Sequence, residues 1–169
     1  MTATLLDSNI LIDIFAGDGP WSAWSEEMLI QALEDGAAFV NQVVYAEISV
    51  GFSTVEQCDR ALDIQGIERM PLPWPASFLA GRAYTEYRHR GGVKRSPLPD
   101  FFIGAHAAVE GLRLLMSEHR QHMLLVTSGA GKLEGVVTKT DILQALKTYR
   151  DEPTQPSLEA GSKEHSQVE

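Results

Sequence analysis

The sequence has one cysteine, Cys58, no apolar run of membrane-spanning length, and no basic cluster near its start. Each absence excludes something. A lone cysteine forms no internal disulfide, and no other Cys or His stands near it at ligand spacing, so neither a disulfide framework nor a structural zinc site is expected. A bilayer helix needs roughly 20 apolar residues, and the opening Met1-Thr2-Ala3-Thr4-Leu5-Leu6-Asp7 lacks the basic flank of a secretory leader. The chain is therefore expected to be soluble, reduced and cytoplasmic. Basic residues are also scarce. Fourteen Lys and Arg face 23 Asp and Glu, a net charge of −9, which speaks against a partner held by charge alone. What is present, 169 residues of which 44% are hydrophobic, suffices for one compact domain with a short appendage.

The acidic excess is uneven. Residues 151–169 hold five acids against Lys163, leaving 13 basic and 18 acidic residues elsewhere. Carboxylates gathered in a site would add to such a count. Arg82, Arg88, Arg90, Lys94 and Arg95 fall close together, opposed only by Glu86, and form a candidate phosphate-contacting strip; a solvated helix face would read the same way.

Strand and helix signals alternate, without an internal repeat. Thr4-Leu5-Leu6 reads as a strand that passes at Asp7-Ser8-Asn9 into a helix carrying Ile10, Leu11, Ile14 and Phe15. A helix follows from Ser22 to Leu33, a strand through Ala38-Phe39-Val40, and a helix capped by Asn41. Residues 54–64 read as helix, 67–72 as strand and 75–89 as helix. Pro97-Leu98-Pro99 then sets up a helix from Asp100 to Glu110, closed by Gly111 and followed by a strand over 112–116. This alternation predicts a mostly parallel sheet covered by helices, with its site at the carboxyl ends of the strands.

Three carboxylates occupy unusual places. Asp7 ends the first strand, where it also suits an N-cap. Glu47 lies three or four residues from Val43, Val44 and Gly51, on an apolar face where a charge needs a partner: an arginine, or a metal shared with Asp7; Ile48 is the next residue along. Asp100 stands in the first turn of its helix, a position the helix dipole also favours. The three crossovers converge on one sheet edge. Such a cluster suits phosphodiester hydrolysis with a hard divalent cation, which takes oxygen ligands and activates a bound water. His106, in mid-helix, reads as packed or solvated rather than catalytic.

These segments resemble the PIN domain, especially the VapC-like toxins of bacterial toxin–antitoxin pairs. Leu-Leu-Asp-Ser-Asn-Ile-Leu-Ile-Asp is similar to the family's first motif, Val-Val-Tyr-Ala-Glu-Ile-Ser-Val-Gly to its second, and Leu-Pro-Asp-Phe-Phe-Ile-Gly-Ala-His-Ala to its third. The resemblance covers residues 1–115. It implies a three-layer α/β sandwich around a mostly parallel sheet, a Mg²⁺- or Mn²⁺-dependent endoribonuclease, an RNA substrate, a VapB-type antitoxin and a homodimer. It assigns Asp7, Glu47 and Asp100 to the metal, with Ser8 and Asn9 as polar supports; Arg88, Arg90, Lys94 and Arg95 of the basic strip are the candidate substrate contacts.

The pattern departs after Leu115. Where family members continue Leu-Leu-Thr-Arg-Asp, this chain reads Leu-Leu-Met-Ser-Glu, so Glu118 stands in the fourth acid's place with a reach about 1.5 Å longer. Residues 112–148 resemble part of a cystathionine-β-synthase-type (CBS) motif, a ββα extension with strands meeting at Gly129–Gly131 and a helix through Ile142, Leu143 and Leu146. In that family the Thr138 and Asp141 positions contact adenine nucleotides. Residues 149–169, Glu-, Ser- and Pro-rich, read as a disordered acidic tail. Three functions stay open at this point: an active nuclease toxin, a PIN-like protein that binds RNA or antitoxin without cutting, and a nucleotide-sensing module.

Overall fold

The computed structural model describes residues 2–93, 95, 98–116, 123–127 and 133–138, the last two stretches as backbone only. Four parallel strands form the central sheet: β1 (Thr4–Leu6), β2 (Ala38–Val40), β3 (Glu68–Arg69) and β4 (Arg113–Leu115), in the order β3-β2-β1-β4. Helices α1 (Ser8–Ala16) and α2 (Ser22–Asp35) lead from β1 to β2, α3 (Gln42–Ser49) and α4 (Val55–Ile64) from β2 to β3, and α5 (Trp74–His89) and α6 (Pro99–Glu110) from β3 to β4. Strand order therefore reverses beside β1. The crevice outside the carboxyl ends of β1 and β4 is the switch point where such sheets bind ligands.

Thr4, Leu5 and Leu6 are each fully buried. Side chains alternate between faces along a strand, so both faces of β1 are covered, as a parallel sheet requires. Ile10 and Leu11 of α1, Val44 and Ile48 of α3, Leu62 of α4 and Ile103 of α6 join them in one core. Two backbone features secure the central strand. The Asp7 N–H donates to the Leu115 carbonyl at 2.9 Å, closing the switch point. At the other end the chain passes so near Gly36 that any Cβ there would lie 2.5 Å from the Thr2 carbonyl oxygen.

A second, smaller core joins α5 to α6. Ala76, Ala80 and Ala83 recur on one face of α5, and Phe101 and Ala105 of α6 fill the space against them. The Tyr84 and Tyr87 rings meet Phe101 nearly edge-on, at centroid distances of 6.1 and 5.8 Å. This clamp holds the first turn of α6.

The third strand is shorter than the sequence predicts. Only Glu68 and Arg69 pair, both exposed; Met70 N–H still reaches the Val40 carbonyl, and Pro71, lacking an N–H, stops the ladder. Beyond β4, strands β5 (Met123–Thr127) and β6 (Leu133–Thr138) form a separate antiparallel pair flanking the expected turn. The helix expected at residues 142–146 and the tail at 149–169 lie outside the described residues. No helix among the described residues is long and apolar enough to cross a membrane.

Candidate metal centre

Asp7 follows β1 directly and is 2% exposed. Its extended backbone makes it the N-cap of α1, and its Oδ2 accepts from the Asn9 backbone N–H at 3.2 Å and from Asn9 Nδ2 at 2.8 Å. The capping and site readings are thus compatible: Asn9 fixes the carboxylate at the switch point.

Glu47 is half-buried on α3. Burial raises its pKa above the ordinary carboxylate range, the negative charges of Asp7 and Asp100 push in the same direction, and the buried Ser8 hydroxyl opposes them. The three carboxylates therefore share one field, although their positions are 40 and 53 residues apart along the chain. Among the described residues no arginine pairs with Glu47. Asp100 follows Pro99 in the first turn of α6, half-buried beside the α5–α6 clamp.

A cleft of about 980 Å³ opens here, lined by Ser8, Asn9, Glu47 and Asp100 together with apolar Ile12, Phe15, Val50 and Phe52. Ile12, Phe15 and Ala16 share one face of α1, and the Phe15 ring meets Phe52 edge-on at 5.4 Å. Sequence reasoning pointed to Glu47 and Asp100, which line the cleft, and missed this apolar stripe, whose signal was Ile12, apolar yet out of step with Ile10, Leu11 and Ile14.

All the charged donors are carboxylates, the ligand type that hard divalent cations prefer. Among the described residues no three His, Cys, Asp or Glu gather closely enough to cage an ion unaided.

The other expected residues lie elsewhere. Arg82, Arg88, Arg90 and Arg95 are exposed and do not line the cleft, and Arg90 pairs with Glu86 at 2.9 Å. Lys94, Glu118 and Asp141 fall outside the described residues, and Thr138 is described only as backbone at the end of β6. His106 is packed, as expected: fully buried on α6 and absent from the cleft lining.

The chain is similar in fold to several solved toxin–antitoxin assemblies. VapBC2 from Rickettsia felis, bound to a DNA fragment from its promoter, matches with a TM-score of 0.53 and 21% identity over 70% of this chain and 90% of that one. A toxin–antitoxin complex from Klebsiella pneumoniae matches with a TM-score of 0.50 and 24% identity, covering 69% and 88%. VapBC-1 from nontypeable Haemophilus influenzae gives 0.52 and 16%, covering 70% and 89%. No curated protein matches the sequence. Nothing in these comparisons supports the CBS-like resemblance of residues 112–148. The model of the PIN domain family matches residues 4–123, and with most of its length inside that match the chain belongs to the PIN domain family.

Proposed function

We propose that this protein is a metal-dependent endoribonuclease and the toxin half of a VapBC-type pair. The observation that carries the reading is that Glu47 and Asp100 line one cleft, with Ser8 and Asn9 next to Asp7, at the switch point of a PIN sheet. Asp7, Asp100 and Glu47 would hold Mg²⁺ or Mn²⁺, which when bound supplies an activated water and neutralises charge on the phosphoryl oxygens. Asn9 holds the Asp7 carboxylate in place, and Ser8 stabilises charge on Glu47. Glu118 would complete the acid set. Exposed Arg88, Arg90 and Arg95, with Lys94, would contact RNA phosphates.

The cleft also suits the partner. Its apolar stripe beside carboxylates fits a VapB-type antitoxin segment that presents apolar side chains and an arginine, the side chain best shaped to pair with carboxylates. A homodimer belongs to the same reading.

The test is cleavage of structured RNA with Mg²⁺, Mn²⁺ or EDTA by wild type, Asp7→Asn and Asp100→Asn. Asn keeps shape and removes charge. Metal-dependent cleavage that falls at least about 100-fold in both variants, about 2.7 kcal/mol of transition-state stabilisation, supports the reading. A wild type as inert as its variants sinks the enzyme reading and leaves a PIN-like protein that binds RNA or antitoxin without cutting.

A further inference from the structure

One buried hydrogen bond joins the cap of α3 to the middle of α6. Asn41 Oδ1 accepts from the Val43 and Val44 N–H groups at 3.0 Å each, which fixes how the amide is turned. Its Nδ2 therefore faces His106 Nδ1, 3.2 Å away, and both side chains are buried, 1% and 0% exposed. An amide nitrogen can only donate, so Nδ1 accepts, the ring is neutral and its proton sits on Nε2. Burial, which lowers the His106 pKa against the opposing charge of Glu110 one turn along, is in keeping with that neutral form.

Nε2 has no hydrogen-bond partner among the described residues. A buried, unpaired donor costs stability that an apolar side chain of similar size would not, so packing alone does not explain a histidine here. The placement offers another explanation. Glu47 lies six residues beyond Asn41 on α3, and Asp100 six residues before His106 on α6. The hydrogen bond ties together the two helices that carry these acids.

We infer that Asn41 and His106 are positioning residues of the carboxylate site, their hydrogen bond setting how far Glu47 stands from Asp100. This inference rests on the metal-site reading above. Ligand-supporting groups of this kind typically change metal affinity about 10- to 100-fold when removed, because the carboxylates no longer meet the ion together.

The experiment measures Mn²⁺ affinity without RNA, by calorimetry, beside thermal unfolding, in Asn41→Ser, His106→Leu, His106→Gln and the double variant Asn41→Ser/His106→Leu. Serine keeps the helix cap but is too short to reach His106. Leucine keeps bulk without the acceptor, and glutamine restores one. The expected result is Mn²⁺ binding about ten-fold weaker in each of Asn41→Ser and His106→Leu, no weaker in the double variant than in either alone, and largely recovered in His106→Gln. Wild-type Mn²⁺ affinity in both single variants, whatever their unfolding temperature, or losses that simply add in the double variant, would overturn it. If wild type neither binds Mn²⁺ nor cuts RNA, the metal-site reading fails by itself, and crystal structures decide the tie. A Glu47–Asp100 separation unchanged in His106→Leu then overturns it; one changed there and restored in His106→Gln supports it.

Discussion

Glu47 is held in a place that penalises its charge. Its pKa is raised, so between the ordinary carboxylate value and the raised one the folded chain retains a proton that the unfolded chain releases. Folding stability therefore declines as pH rises through that window and stays lower above it. Glu47→Gln is expected to raise the unfolding temperature of the metal-free protein at pH 7.5, with the gain disappearing below about pH 4.5, while RNA cleavage drops at least about 100-fold. Thermal scans at the two pH values check the first part, and an unchanged transition at pH 7.5 would show that the acids do not strain one another. His106 works in the opposite sense. Its pKa is lowered, so the stability it supports is present above its ordinary value near 6.5 and is lost as pH falls through the lowered one. His106→Leu should flatten that acid decline in a pH series of urea unfolding curves.

Taken singly, Asp7 and Asp100 had ordinary readings, an N-cap and a position the helix dipole favours, and only Glu47 on an apolar helix face broke a local rule; the three stood out as a candidate site through their shared place in αβ crossovers. His106 read only as packed or solvated rather than catalytic. Its hydrogen bond to Asn41 spans 65 positions, and no local spacing encodes it.

Among the elements, the α5–α6 clamp matters most to the site. Phe101 is completely buried, follows Asp100 directly and fills the alanine face of α5. Phe101→Ala should cost about 3–5 kcal/mol in urea unfolding and reduce cleavage as well, since the turn bearing Asp100 loses its anchor. Unfolding free energy within about 1 kcal/mol of wild type would mean the clamp collapses around the gap.

Helices were easier to read than strands. Asp7, Asn41 and Thr54 each cap a helix through the side chain, as their positions suggest, and Gly111 ends α6 at φ 64°, in the left-handed region where glycine is favoured. The third strand was overestimated because Ile67 to Leu72 carries an apolar pattern whose pairing depends on a neighbour the sequence does not name, and Pro71 cuts it short.

At the scale of the molecule, a net charge of −9 leaves little general attraction for RNA. Binding should depend on the few exposed arginines, each worth about 0.7 in the slope of log affinity against log salt for a single strand. Neutralising Arg88, Arg90 and Arg95 together is expected to lower that slope by about 2 and weaken binding, with little effect on cleavage at saturating RNA. Fluorescence anisotropy over a salt series measures it; an unchanged slope moves the phosphate path elsewhere.

The order of the sheet also sets a schedule. The strand made first, Thr4–Leu6, is an inner one, and the neighbour that walls its crevice, Arg113–Leu115, is the last of the four to leave the ribosome. Asp7 is translated before Asp100 and before the Leu115 carbonyl that receives its N–H. As the nuclease proposed above, the chain would lack its walled crevice until this fourth strand is in place, and a cognate inhibitor would have that interval in which to arrive.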